Sequence, residues 1–247
     1  MTGVQTCALP ISAEATIDPR SRRAGDYALV AARAALQRGD LARAAQHIDA
    51  LRNVIAAAPA GSTVSMRASL SGIQARHDAA SGRCAETLAA LNQDKATQRP
   101  ASFTQFRAAL NEAELRVECH DFAAAAELAG ATLRAIEERG LQGPLALFAS
   151  RLEVVGAQAA LERRDALEAE RRARAALGVQ ATQLSGISPR LADTRLLLGL
   201  ALVAQGRAAE AREPIEAARA ALAQHTALDP RHRGLLDATQ RALAASR

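Results

Sequence analysis

The chain has 247 residues, 49% of them hydrophobic but only 2% aromatic, and Ala alone supplies 63. Ala is the strongest helix former, and windows rich in Val, Ile, Thr and Tyr are missing, so the composition predicts an all-α fold and excludes a sheet sandwich. The net charge of +5 rests on Arg, with Lys95 the single Lys. Acids are interspersed, as in Glu162-Arg163-Arg164-Asp165, and no aromatic stacking platform accompanies the cations, so nucleic acid is not expected as a partner.

The first stretch, MTGVQTCALPI, has no helical period, no strand alternation and no charge. It resembles the translation of a standard short-read sequencing adapter, with all eleven residues matching once a GTG start is written as Met. Residues 1–11 are therefore set aside as non-native, Cys7 among them. The natural reading frame is expected to begin further upstream, and residues 12–24 are expected to form a linker.

From there two kinds of punctuation alternate. Pro59, Pro100, Pro144, Pro189 and Pro230 are spaced 41, 44, 45 and 41 apart. Proline is excluded from helix interiors, so these mark connections, and a near-constant gap of this size signals a repeat architecture. Between them lie Gly39-Asp40, Gly82-Arg83, His120-Asp121, Arg164-Asp165 and Gly206-Arg207, spaced 43, 38, 44 and 42. Each is followed by an Ala-rich helical run. The reading is five helix–turn–helix pairs over 25–57, 65–95, 103–139, 145–177 and 189–224, with a capping helix over 231–246, all within one repeat domain, 25–247.

Local signals agree. Ser102 with Gln105 reads as a capping box. Ser188 before Pro189 reads as an N-cap with a first-turn proline. Gly140 and Gly178 read as left-handed helix ends, and Pro214 should kink the helix that contains it. The longest apolar run, LLLGLALVAQG over 196–206, is too short for a span that needs about 20 residues. The four Phe, at 103, 106, 122 and 148, read as core.

The last repeat, LLLGLALVAQGRAAEAREPIEAARAAL (196–222), resembles the tetratricopeptide repeat. Leu198-Gly199 falls at the family's Leu-Gly pair, Gly206 at its inter-helix turn, and Ala211, Ile215 and Ala218 at the small, large and small positions of its second helix. Gly39 and Ala44, Ala125, and Ala169 match in earlier repeats, whereas Thr87 stands where Ala is expected. The family's basic period is about 34, shorter than the gaps here, which suits its long-period bacterial members. The resemblance implies a right-handed superhelical solenoid of antiparallel helix pairs. It also implies a concave groove lined by first helices, carrying Arg33, Arg76, Asn111 and Gln158, where Arg would take carboxylates of a peptide. For any one of these residues the plainer reading is a solvated helix position.

Chemistry is harder to find. No phosphate-binding glycine loop and no kinase catalytic motif occurs. The five His show no metal-binding spacing, and Glu112 and Glu114, two apart on a helix, do not face each other. No catalytic residue, metal or cofactor is expected. Cys84 begins one helix and Cys119 ends the next, and those helices should pack antiparallel. Whether the sulfurs come close enough to bond is left open; a Cα separation above about 7 Å would exclude it, and a bond would imply an oxidising compartment.

The expected function is a non-enzymatic protein-interaction scaffold. It would be the docking or sensing part of a larger bacterial signalling protein, such as a Ser/Thr kinase whose catalytic domain lies upstream. The alternative is a small-molecule-sensing helical domain of a transcriptional regulator or regulatory ATPase. The cytoplasm is the favoured compartment, and the periplasm follows if a membrane span lies upstream.

Overall fold

A computed structural model describes residue 18 and residues 21–59, 63–93, 100–225 and 228–245. The adapter-like residues 1–11, Cys7 and most of the expected linker lie outside the described residues. Those described form eleven helices and no strand: α1 (Arg22–Arg38), α2 (Leu41–Ala57), α3 (Val64–Ala80), α4 (Cys84–Gln93), α5 (Phe103–Glu118), α6 (Phe122–Glu138), α7 (Ala146–Glu162), α8 (Ala166–Gln183), α9 (Pro189–Ala204), α10 (Ala208–Leu222) and α11 (Pro230–Ala245). The fold is all-α with neighbours in sequence packed on one another. It divides into two compact units, 1–77 and 78–247, with the boundary inside α3.

The short turns explain the pairing. Gly39, Gly82, His120, Arg164 and Gly206 all adopt positive φ, from 61° to 81°. Each reverses the chain by the same pair of hydrogen bonds. The left-handed residue's N–H donates three residues back, and the next N–H donates five back, as in Gly206 to Val203 O and Arg207 to Leu202 O. This closes two orphan carbonyls at a helix end. At two of these turns the following residue also caps the next helix with its side chain: Asp40 Oδ1 accepts from Arg43 N, and Asp165 Oδ1 from Glu168 N. Gly140 is left-handed in the same way at the end of α6.

Counting from these turns aligns the packing. Five residues after the left-handed position stand Ala44, Thr87, Ala125, Ala169 and Ala211, all buried. Seven before it stand Ala32, Ala75, Ala113, Ala157 and Gly199, small in every case. These surfaces let paired helices approach closely. At α9/α10 the approach is close: a Cβ added to Gly199 would run into Ile215 Cγ1 and lie 2.8 Å from its Cδ1. Ile215 is 2% exposed and Ala218 fully buried, so the side chain fills the notch that glycine leaves.

In the first unit Ala28, Leu51, Val54 and Met66 form one cluster, and Ala32, Ile48 and Ile73 another. In the second, Phe106, Leu110, Leu152 and Ile136 are the large members around α5–α7. Leu196, Leu202, Ile215 and Leu222 fill α9/α10.

Several expectations need correction. Gly178 does not end a helix: α8 continues to Gln183, because Gln180, 2% exposed, is held in the interior by Ser150 and Thr194. Phe103 is not core but 57% exposed, at the first position of α5, ahead of the buried stripe that starts with Phe106. Pro214 lies inside α10, as the sequence indicates, and is buried there. The capping box at Ser102 and Gln105 is present in full, and Ser188 precedes Pro189 at the start of α9 without a side-chain cap bond.

Candidate binding face

In the second unit the first helices α5, α7 and α9 form a row in mutual contact. The residue six before each left-handed turn marks an equivalent place: Arg33 on α1, Arg76 on α3, Glu114 on α5, Gln158 on α7 and Leu200 on α9. Arg33 is exposed, and Arg76 and Gln158 are half-buried. Asn111, also half-buried, lies one turn before Glu114 on the same helix. The spacing from Gly82 to His120 is the shortest of the series, and counted from the turn the α5 residue at this register is Glu114. Arg33 and Arg76 belong to the first unit, Asn111 and Gln158 to the second.

Polar side chains bridge the row. Arg151 Nη2 of α7 donates to Glu114 Oε1 of α5 at 2.5 Å. The position equivalent to Arg151 in α9 is Asp193, thirteen residues before the turn in both cases. Asp193 is 8% exposed, and burial pushes its carboxyl pKa up, although Arg231 and His232 oppose the shift. His232 Nε2 of α11 stands 3.5 Å from Asp193 Oδ2. Asp193 Oδ1 and His232 Nδ1 are both buried without a hydrogen-bond partner, an arrangement that costs stability. Arg231 Nη2, also of α11, donates to Gln158 Oε1 at 3.2 Å. Thus one of the sequence-expected groove residues, Gln158, is engaged by the chain's own last helix.

Other charges serve the scaffold. Arg172 lies across α7 at Gly156, with Nη1 only 2.8 Å from where a Cβ would sit. It joins Glu153 at 3.0 Å to Glu168 at 2.6 Å. The Arg171 hydrogen bond foremost, with Arg172, holds the Glu168 carboxyl down to about 2, against the effect of burial. Glu170 is held below the usual carboxylate range, first by the Gln205 hydrogen bond and also by Arg174 and Arg207. Gln205 Nε2 at the α9/α10 turn also donates to Ala166 O, tying that turn to the start of α8. Arg171, Arg172, Arg174 and Arg207 are thus held in ion pairs within the scaffold.

At the start of the second unit, Cys84 and Cys119 are joined by a disulfide with a Cα separation of 5.3 Å. Beside it Arg116, 7% exposed, donates to Glu112, Asp121 and Asn92 at 2.7–3.0 Å. Burial works against its charge, but the two carboxylates outweigh that and raise its pKa. Asp121 therefore points to Arg116 and makes no side-chain cap bond to α6. The sequence left the sulfur pairing open and contained no signal for Arg116 or for Asp193, beyond a lone acid ahead of a Leu-rich run.

No helix among the described residues is long and apolar enough to cross a membrane. No protein-family model matches the chain, and no curated protein matches it.

Proposed function

We propose that this chain is a non-catalytic scaffold that binds peptide or protein segments along the face formed by its first helices. Its helix pairs would stack in the tetratricopeptide manner as a right-handed superhelix. The observation that carries this reading is the recurrence, five times, of a left-handed turn residue with a buried residue five positions after it, Ala in four pairs and Thr87 in the other. That regularity makes each pair a stackable unit, and stacked units present one continuous face to a ligand. A part in a larger bacterial signalling protein, such as a Ser/Thr kinase, is the setting we favour. The Cys84–Cys119 bond shifts our expected compartment away from the cytoplasm, since disulfides persist where the surroundings are oxidising.

The test is selection of binding peptides by display against the full chain, followed by Arg33→Glu and Arg76→Glu. Charge reversal on the first-helix face should weaken selected acidic peptides by about tenfold each, about 1.4 kcal/mol. Arg163→Glu, at an exposed turn, should leave binding unchanged. Equal losses in all three variants would mean charge attraction without a face, and would overturn the reading.

A further inference from the structure

We propose that α11 is a resident ligand of the first-helix face, seated on α9 and tied to α7 through Arg231 and Gln158, and that it must leave before a partner helix can bind there. The proposal deepens the scaffold reading and rests on it. A helix continuing the stack would pack on the second helix before it, as α7 packs on α6 and α9 on α8. α11 instead lies mainly against α9, with a smaller contact to α10. Its first turn reaches two first helices at once, through Arg231 to Gln158 and His232 to Asp193.

The seat is shallow and imperfect. Among the described residues of α11 Thr239 alone is buried, and Leu235, Leu236 and Leu243 are only half-buried against the α9/α10 cluster. The buried carboxylate at its centre is half-used: Oδ2 faces His232, while Oδ1 has no partner. A histidine offers one donor in this direction. An arginine would offer a planar fork able to satisfy both oxygens. The occupant that fits better than α11 is therefore an amphipathic helix with an Arg about one turn before a pair of leucines. Because 223–229 tethers α11 beside its seat, an intramolecular occupant of modest intrinsic affinity can still hold the face closed.

The probe is a fluorescent synthetic peptide of residues 228–245 carrying the His232→Arg change, titrated by anisotropy into the full-length chain. His232→Ala in the chain should loosen α11 and tighten peptide binding at least tenfold over wild type. His232→Arg in the chain should close the face and weaken binding at least tenfold. Adding Asp193→Ala to His232→Ala should abolish the gain. Equal affinities across wild type and the two His232 variants would overturn the proposal and leave α11 a fixed cap. If His232→Ala fails to fold, amide exchange of α11 in His232→Arg decides. At least tenfold slower exchange than wild type supports the seat, and unchanged exchange overturns it. Failure of the scaffold reading is distinguishable, because it appears in Arg33→Glu and Arg76→Glu and leaves the exchange of α11 untouched.

Discussion

The α9/α10 pair and the α4–α5 corner hold helices together by opposite means. At α9/α10 the join is shape. Gly199 leaves a notch, Ile215 fills it, and Ala211 and Ala218 keep the axes close. At the α4–α5 corner the join is chemistry. α4 has ten residues, and Thr87 is the one buried among them. A helix so short is marginal without tertiary support, and α4 gets that support from the Cys84–Cys119 bond at its first residue and from Asn92, near its end, which accepts from Arg116. A repeat whose second helix lacks the small–large–small pattern can thus be kept in register by a covalent bond and a buried cation.

A large predicted effect breaks the chemical side of this contrast. Cys84→Ser removes a crosslink between residues 35 apart, and the chain-entropy model gives a loss of about 3–4 kcal/mol, read as a drop in the urea midpoint. Dithiothreitol should produce the same drop in wild type and none in the variant. An unchanged midpoint would mean that Arg116 and its partners hold α4 unaided.

The next effect sharpens the side that depends on shape. Ala211→Leu overpacks a fully buried site and should cost about 1–3 kcal/mol. Gly199→Ala should destabilise as well, by about 1–2 kcal/mol, despite a gain of about 1 kcal/mol in helix propensity. Ile215→Ala alone should cost about 2–5 kcal/mol through its cavity. In the Gly199→Ala background it should cost less by about 1 kcal/mol, because the added methyl then fills space instead of colliding. Strict additivity in this double-mutant cycle would show that the two side chains do not share the notch.

How far the sequence could reach follows from the same physics. The turns were legible because a chain reversal needs a left-handed residue and a new helix needs a cap, and Gly-Asp-like pairs supply both at a steady spacing. The small residues of the second helices were legible because they sit at a fixed count from those turns. Asn111 was harder to place, since one short repeat moves the count from the turn by a helical turn, to Glu114. The end of α8 was hidden because Gln180 looks like surface in a sequence, yet is buried by two partners on other helices. The seat of α11 was hidden for a related reason. A pattern of half-buried leucines says that one face is covered, but not which neighbour covers it. Only the buried acid Asp193 in α9, set against His232, marks the place.

The smallest predicted effect returns to the turns. Arg164 and Gly206 occupy the same place in successive pairs, at φ 62° and 76°, and their N–H groups and those that follow make the same bonds. A side chain there meets the steric cost of the left-handed region, whereas glycine does not. Gly206→Ala should therefore cost about 1–2 kcal/mol. Arg164→Gly removes that cost but adds freedom to the unfolded chain, worth about 0.5–1 kcal/mol, so it should fall between neutral and about 1 kcal/mol stabilising. The opposite signs matter more than the sizes. Backbone strain tolerated at one turn and avoided at the next is the signature of a motif fixed by its hydrogen bonds, with the residue at its apex free to vary. If Arg164→Gly lowered the melting temperature as much as Gly206→Ala does, the Arg164 side chain would be holding its turn by contacts of its own, and the five turns would not be one motif.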